Sequence, residues 1–100
     1  MSSQNRITVK QTNLFKKTVK KLPKQLKKEL DVAVAILLDD PSIGEQKKGD
    51  LFFLRVYKFK LNKQLTLLGY SYLDDELILT LLHLDSHENF YRDIKTKNFS

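Results

Sequence analysis

The sequence contains no cysteine, which excludes disulfide bonds and thiolate metal sites and fits a reducing compartment. It also has no apolar stretch near the roughly 20 residues that a membrane span needs. Residues 1–6 lack the apolar core of a signal peptide. We therefore expect a cytoplasmic protein that makes no contact with a membrane.

Several functional motifs are missing as well. There is no Gly-rich phosphate loop and no serine elbow. His83 and His87 are four residues apart, but a predicted strand break at Asp85-Ser86 separates them, so a shared zinc ion is not expected. The sequence thus predicts no metal site, and no cofactor is expected.

The 100 residues suffice for one domain, 1–100, with a modest core. The net charge of +6 is unevenly distributed. Residues 1–30 hold nine Lys or Arg and one Glu, a balance of +8, whereas residues 31–60 balance to zero and residues 61–100 to −2. A basic block of this kind favours a polyanion or an acidic protein as partner. A solvated helix face is the structural alternative.

Hydrophobic spacing predicts the order of the elements. Residues 6–10 alternate as in a short strand, and Thr12 or Asn13 offers an N-cap for a helix. Apolar residues then recur every three or four positions up to Leu37, and Pro23 divides this stripe into helices at about 13–21 and 23–38. Residues 41–50 contain a proline and two glycines, which predicts a loop.

The second half predicts strands at 51–61, 65–72 and 77–84, joined by tight turns at 62–63 and 74–75. Ser86 is a candidate N-cap for a short helix at 88–97. The expected fold class is α+β: an N-terminal strand and a helical hairpin packed on an antiparallel sheet of about four strands, with a short C-terminal helix.

Strand alternation predicts which face of this sheet stays open. On the strand at 51–61, the apolar set of Phe52, Leu54 and Val56 should meet the helices. The set of Phe53, Arg55 and Tyr57 should then line the uncovered face. This parity places Lys58 and Lys60 on the core side, unless a bulge redirects them.

Three side chains suggest chemistry on a phosphate ester. RNA carries its own nucleophile, the 2′-hydroxyl, so an RNA-cleaving site needs an acid, a base and cations around the phosphate. His87 can serve as acid or base, Tyr91 can stack a base or hold the phosphate, and Arg55 can bind phosphate oxygens. Each also has a structural interpretation, as a surface residue, a packing residue and an ion-pair partner respectively.

Five short segments, taken together, resemble the RelE/ParE superfamily of toxins from type II toxin–antitoxin pairs. They are Lys20-Lys21-Leu22-Pro23, Leu37-Leu38-Asp39-Asp40-Pro41, Lys48-Gly49-Asp50-Leu51, Leu54-Arg55-Val56 and His87-Glu88-Asn89-Phe90-Tyr91 with Arg92 to Lys95 after it. The last segment looks most like the RelE and HigB members. The resemblance covers nearly the whole chain.

The resemblance implies a microbial-ribonuclease-like fold. It also implies a metal-independent endoribonuclease, an mRNA interferase that cleaves messenger RNA in the A site of the 70S ribosome by 2′-hydroxyl attack. The implied partners are a cognate antitoxin protein and, only through the antitoxin complex, operator DNA.

Position by position, the resemblance matches Arg55, His87 and Tyr91 to catalytic residues of the family. Many members have an arginine on the third strand, where this chain has Lys63-Gln64-Leu65-Thr66. The expected RNA-binding residues are cations of the last two thirds of the chain: Lys58, Lys60, Lys63, Arg92 and Lys95.

Two other functions remain open at this point. One is a ParE-like inhibitor of DNA gyrase, which needs no ribonuclease residues. The other is a non-catalytic module whose basic helices bind nucleic acid or an acidic protein.

Overall fold

The computed structural model describes residues 6–87, 89 and 90. Its elements, in chain order, are β1 (Thr8–Gln11), α1 (Asn13–Lys20), α2 (Lys24–Asp39), β2 (Glu45–Gln46), β3 (Arg55–Leu61), β4 (Gln64–Leu73) and β5 (Ile78–Ser86). Within these residues, neither helix is long and apolar enough to cross a membrane.

Thr12 begins α1 and also ties it to the sheet. Its Oγ1 accepts a hydrogen bond from the Phe15 N–H at 3.1 Å, as an N-cap does, and donates one to the Leu82 carbonyl at 2.9 Å. Phe15 is the buried residue of this helix. One buried hydroxyl therefore sets both where α1 starts and how it meets β5.

Pro23 separates the two helices, as predicted. It is the N-cap of α2, and its missing N–H removes nothing there because the first helical N–H groups have no partner within the helix. Leu30, Ala33 and Leu37 are the buried residues of α2. The helical hairpin is thus confirmed, with boundaries within one residue of those predicted.

The sheet has the order β1-β5-β4-β3-β2. Pairs β5-β4, β4-β3 and β3-β2 are antiparallel, whereas β1 runs parallel to β5. The predicted α+β fold with helices on one face is confirmed, but the sheet is mixed and not wholly antiparallel as expected, because β1 runs parallel to β5. The sheet has one more strand than expected, because β2 forms inside the predicted loop at 41–50.

The strand predicted at 51–61 begins later than its apolar pattern suggested. Residues Gly49–Leu51 form a 3-10 turn, and Gly49 has a φ of 68°. The regular strand starts at Arg55. The following turn at Asn62 and Lys63 is confirmed, with φ values of 52° and 66°, the left-handed conformation that two-residue hairpin turns use.

A β-bulge changes the facing of β5. Gly69 on β4 pairs with His83, but its neighbour Tyr70 pairs with Leu81, so Leu82 is an extra residue on β5. Leu81 and Leu84 therefore both face the helices, and His83 faces the other way. Without the bulge, alternation along β5 would give His83 the same facing as Leu79 and Leu81.

Apolar side chains are buried on both faces of the sheet. The larger cluster lies under α1 and α2 and includes Leu68, Tyr70, Leu79, with Tyr57 and Phe59 of β3 packed against it. The predicted facing of β3 is therefore reversed: Tyr57 faces the helices. Leu54 and Val56 belong to a second cluster on the opposite face.

Candidate functional site: the open face of the sheet

We define the open face as the side of β3, β4 and β5 that α1 and α2 do not cover. Its side chains follow from the pairing register: Val56, Lys58 and Lys60 on β3, Leu65, Leu67 and Gly69 on β4, and His83 and Asp85 on β5. Lys58 and Lys60 are exposed. They lie on this face without any bulge in β3, since Val56 shares their facing.

Phe90 covers one part of the open face. It is fully buried in a cluster with Leu54, Val56, Leu67 and Leu82. Gly69 leaves the space for it, because a Cβ there would lie 2.7 Å from the Phe90 Cζ atom. The ring of Phe90 thus anchors the chain after β5 onto the sheet.

His87 is the first residue of the segment that Phe90 anchors. It directly follows β5, is exposed, and begins a helical stretch that includes residues 89 and 90. The Asn89 N–H donates to the Ser86 Oγ at 3.4 Å, which confirms Ser86 as the cap of this segment. The cap turns the chain at His87 instead of letting β5 continue.

A surface hollow of about 410 Å³ is lined by Gln64, Leu65, Ser86 and His87. Leu65 pairs with Lys60 across the β3–β4 ladder. The His87 imidazole therefore borders the hollow, and Lys60 lies on the neighbouring strand beside Leu65, where it lines a separate groove next to α2.

Lys58 and Lys63 add positive charge at this end of the sheet without lining the hollow. Lys63 belongs to the exposed turn just before Gln64, and Lys58 pairs with Leu67, two positions along β4 from Leu65. The predicted RNA-binding lysines thus gather at the same end of the sheet as His87. Such a group can bind consecutive phosphates of a nucleic-acid strand.

The predicted meeting of Arg55 with His87 does not occur. Arg55 pairs with Tyr70, whereas Ser86, next to His87, pairs with Thr66, which pairs with Phe59. The two levels are four strand positions apart, roughly 13 Å at about 3.3 Å per residue. Arg55 also faces the helix side and lines a different hollow, of about 480 Å³.

Arg55 instead binds the loop after α2. Its Nη1 donates to the Ser42 carbonyl at 3.1 Å and to the Gly44 carbonyl at 2.8 Å, and its Nη2 to the Gln46 Oε1 at 3.4 Å. These contacts direct the guanidinium away from the open face. The structure therefore gives Arg55 a role in holding this loop.

Tyr70 fixes the same loop from beneath. Its hydroxyl donates to the Pro41 carbonyl at 2.6 Å and accepts from the Gly44 N–H at 2.9 Å. Burial raises the pKa of Tyr70 above its ordinary value of 10.0, although the Gly44 N–H and the Arg55 charge act in the opposite direction. A protonated hydroxyl is required for the bond to Pro41.

Asp85 is an open-face residue that the sequence did not single out. It pairs with Leu67 of β4, and Leu67 pairs on its other side with Lys58 of β3. Its Oδ2 lies 3.8 Å from the Nε2 of buried His83, whose ring packs 5.2 Å from that of Phe90. No signal in the sequence could place Asp85 there, since its facing depends on the bulge at Leu82.

Tyr91, Arg92 and Lys95, also predicted as site residues, lie outside the described residues. Among the residues that are described, no group of three or more His, Asp or Glu side chains is placed to hold a metal ion.

Comparison with known proteins agrees with this architecture. A family model described as the ParE-like toxin of type II bacterial toxin–antitoxin systems matches residues 9–95. The chain belongs to this family, and with it to the RelE/ParE superfamily of toxins. None of the curated protein sequences matches the chain.

Solved structures share the fold at low sequence identity. RelE in the intact E. coli RelBE toxin–antitoxin complex superposes with a TM-score of 0.65 at 18% identity, over 81% of this chain and 96% of that one. Isolated E. coli RelE gives 0.63 at 18% identity, covering 91% and 98%. The conserved hypothetical protein HP0892 of Helicobacter pylori gives 0.54 at 22% identity, covering 85% and 99%.

Proposed function

We propose that this toxin is a metal-independent endoribonuclease that cleaves messenger RNA in the ribosomal A site. The observation that carries the proposal is that Lys58, Lys60 and Lys63 lie at the same end of the sheet as the hollow that His87 lines. The toxin family and the RelE-like fold support it.

The reaction uses the 2′-hydroxyl of the RNA as nucleophile. A base removes the proton of this hydroxyl, its oxygen attacks the adjacent phosphorus, and the bond to the 5′-oxygen breaks as an acid protonates that oxygen. His87 is the proposed acid or base, because its imidazole borders the hollow and is exposed to substrate. The three lysines offset the charge that develops on the phosphate.

Residues beyond Phe90 complete the proposed site. Tyr91 follows the buried anchor Phe90 in the sequence, and we assign it a base-stacking or phosphate-holding role. Arg92 and Lys95 are proposed to contact the RNA backbone. Arg55 is assigned to the loop after α2 and no longer to the reacting phosphate, because of its distance from His87.

The proposed partner is a cognate antitoxin protein, and operator DNA is bound only through the toxin–antitoxin complex. The structural similarity to RelE in its complex with RelB supports this assignment. The cytoplasm, where the ribosome is found, is the proposed location.

Primer extension on a defined transcript, with and without 70S ribosomes, tests the proposal. We expect cleavage only when ribosomes are present. His87→Ala should lower the cleavage rate by about 10²–10⁴-fold, the usual effect of removing a general acid or base. Unchanged cleavage by His87→Ala would remove this residue from the mechanism.

A ParE-like inhibitor of DNA gyrase is the second candidate function. The matching family model is itself described as ParE-like, which favours it. Stalled gyrase complexes and an SOS response in cells with intact messenger RNA would select this function. If overexpression is harmless, the chain is instead a non-catalytic binding module.

A further inference from the structure

A surface hollow on the helix side of the molecule is lined by residues of both helices. It has a volume of about 530 Å³ and also includes the last residue of β1. Four lysines line it, and all four are exposed: Lys16, Lys17 and Lys20 of α1 and Lys27 of α2. We call it the lysine hollow.

The lysine hollow has no compensating negative charge. Glu29 is the first acidic residue of the sequence, and nine Lys or Arg residues precede it. Its Oε1 accepts a hydrogen bond from the Asn62 N–H at 2.9 Å, and its side chain lines a different groove, beside Tyr57 and Phe59. Among residues 6–87, 89 and 90, no acidic side chain lines the hollow or forms a salt bridge with its four lysines.

The positions of these lysines are unfavourable for both helices. Lys16 and Lys20 are four residues apart on α1, and like charges at this spacing destabilise a helix. Lys16 and Lys27 are each the fourth residue of their helix, near the N-terminus, where the macrodipole disfavours a cation. Neither helix has an acidic residue in its first turn. Such departures from local preference are expected at functional sites, and a bound anion offsets both of them.

Regular structure holds the backbone around the lysine hollow. The Lys16 N–H donates to the Thr12 carbonyl at 3.0 Å, and the Lys27 N–H donates to the Pro23 carbonyl at 3.0 Å. Val19, which also lines the hollow, packs against the larger core cluster. Because helices and not loops carry the lysines, their backbone positions are set before a ligand arrives.

The remaining lining indicates the class of ligand. Gln11 and Asn13 add carboxamide N–H donors. Of the described residues that line the hollow, none is aromatic, so it has no platform on which a nucleobase could stack. Neighbouring phosphates share an oxygen in a linear oligophosphate, whereas a sugar separates them in a nucleic-acid strand. An oligophosphate therefore brings more negative charge into one hollow.

We propose that the lysine hollow binds a short linear oligophosphate, either free or as the triphosphate chain of a nucleotide. The ammonium groups bind the phosphate oxygens from both helices, and the carboxamides of Gln11 and Asn13 donate to the oxygens at the β1 end. The hollow lies on the helix side of the sheet. The proposal therefore does not rest on the nuclease activity proposed for the open face.

Calorimetric titration of the full chain with inorganic tripolyphosphate, at constant ionic strength, tests the proposal. We expect a single site, with orthophosphate binding at least about tenfold more weakly because it reaches fewer ammonium groups. Adenosine should not bind. Equal affinities for orthophosphate and tripolyphosphate, or binding of adenosine, would overturn the proposal.

Two further ligands identify the source of the phosphates. If ATP binds within about threefold of tripolyphosphate, the hollow accepts the phosphate chain of a nucleotide. Weaker binding of ATP restricts the hollow to free oligophosphates. If a single-stranded RNA without terminal phosphates displaces tripolyphosphate at an equal concentration of phosphate groups, the ligand is a nucleic-acid backbone and the proposal is wrong.

Two double variants with the same change in net charge locate the site. Lys20→Ala with Lys27→Ala removes one lysine of the hollow from each helix and should weaken tripolyphosphate binding about tenfold or more. Lys21→Ala with Lys28→Ala is the control, because these exposed neighbours do not line the hollow, and its affinity should stay within about threefold of wild type. Urea unfolding confirms that both variants fold.

Amide chemical shifts give a readout that is independent of affinity. Tripolyphosphate should shift the amides of Asn13, Lys20 and Lys27 in the wild-type chain. Shifts confined to Lys58 and Lys60 would place the anion on the open face and contradict the proposal, as would equal weakening of binding by the two double variants. None of these measurements requires RNA cleavage, so failure here is distinguishable from failure of the proposed nuclease activity.

Discussion

Tyr70 shows how one side chain holds a loop that lies apart from the strands paired with its own strand, β4. Its hydroxyl bonds to both Pro41 and Gly44, and Gly44 lies so close that an added Cβ would be 2.6 Å from the Tyr70 oxygen. The sequence predicted a loop at 41–50 but not this anchor. The sequence around a tyrosine in an apolar strand does not show which carbonyl will accept a hydrogen bond from its hydroxyl.

Tyr70→Phe should lower the free energy of unfolding by about 1–3 kcal/mol, because the Gly44 N–H and the Pro41 carbonyl lose a shared partner. Urea unfolding monitored by circular dichroism measures the change. Tyr72→Phe is the matched control and should stay within about 0.5 kcal/mol, since Tyr72 is only partly buried. Equal losses in the two variants would show that the Tyr70 bonds add nothing.

Tyr70 also predicts an alkaline limit to stability. Its pKa is raised in the folded state, chiefly by burial, so its protonated form stabilises the fold. That contribution is complete below the unfolded pKa of about 10 and is lost as pH rises through the higher folded value. The difference in unfolding free energy between wild type and Tyr70→Phe should therefore shrink above about pH 10. A difference that grows instead would reverse the assigned direction of the pKa shift.

Among the elements, the helices were the most predictable part. One apolar stripe and one proline specify α1 and α2, since a single face of each helix is buried. The facing of β3 was not predictable from alternation. Leu54 and Val56 pack under Phe90, whereas Tyr57 and Phe59 pack under the helices, so apolar residues occupy both faces. Alternation specifies a buried face only when the opposite face is polar.

The loop between α2 and β2 provides a test at the scale of elements. Arg55→Ala removes the donors to the Ser42 and Gly44 carbonyls, and we expect a loss of about 1–2 kcal/mol in unfolding free energy. Amide exchange at Gly44 should accelerate. Arg55→Lys, which keeps the charge but loses the forked geometry, should give an intermediate effect.

The same variant separates the two roles considered for Arg55. A positioning residue leaves ribosome-dependent cleavage within about threefold of wild type at a temperature where the variant is fully folded. If the variant lowered the cleavage rate by about 10²-fold without faster amide exchange at Gly44, Arg55 would instead act on the reacting phosphate.

At the scale of the molecule, the charge of the chain divides between two surfaces. The +8 block of residues 1–30 falls mainly on α1 and α2, on the helix side of the sheet. Of the lysines of the proposed RNA site, Lys58 and Lys60 come from residues 31–60, whose charges balance, and Lys63 comes from residues 61–100, whose balance is −2. The distribution of charge along the sequence therefore indicated a basic protein. It did not indicate that a basic face lies beside His87.

Family membership was predicted from five short segments taken together in their order along the chain, and the family model confirms it. The candidate site was only partly predictable. His87 and its lysines share one end of the sheet, but that grouping depends on the hairpin register and on the bulge at Leu82. Neither the register nor the bulge produces a residue pattern that can be recognised in a single sequence.

The most direct measurement compares two double variants with the same change in net charge, in single-turnover cleavage of a defined messenger RNA on 70S ribosomes. Lys58→Ala with Lys60→Ala alters the open face, and Lys24→Ala with Lys28→Ala alters exposed positions of α2. Our account predicts a loss of about 10² or more for the open-face pair and a change within about threefold for the α2 pair. Equal losses, or a larger loss for the α2 pair, would contradict an RNA site on the open face.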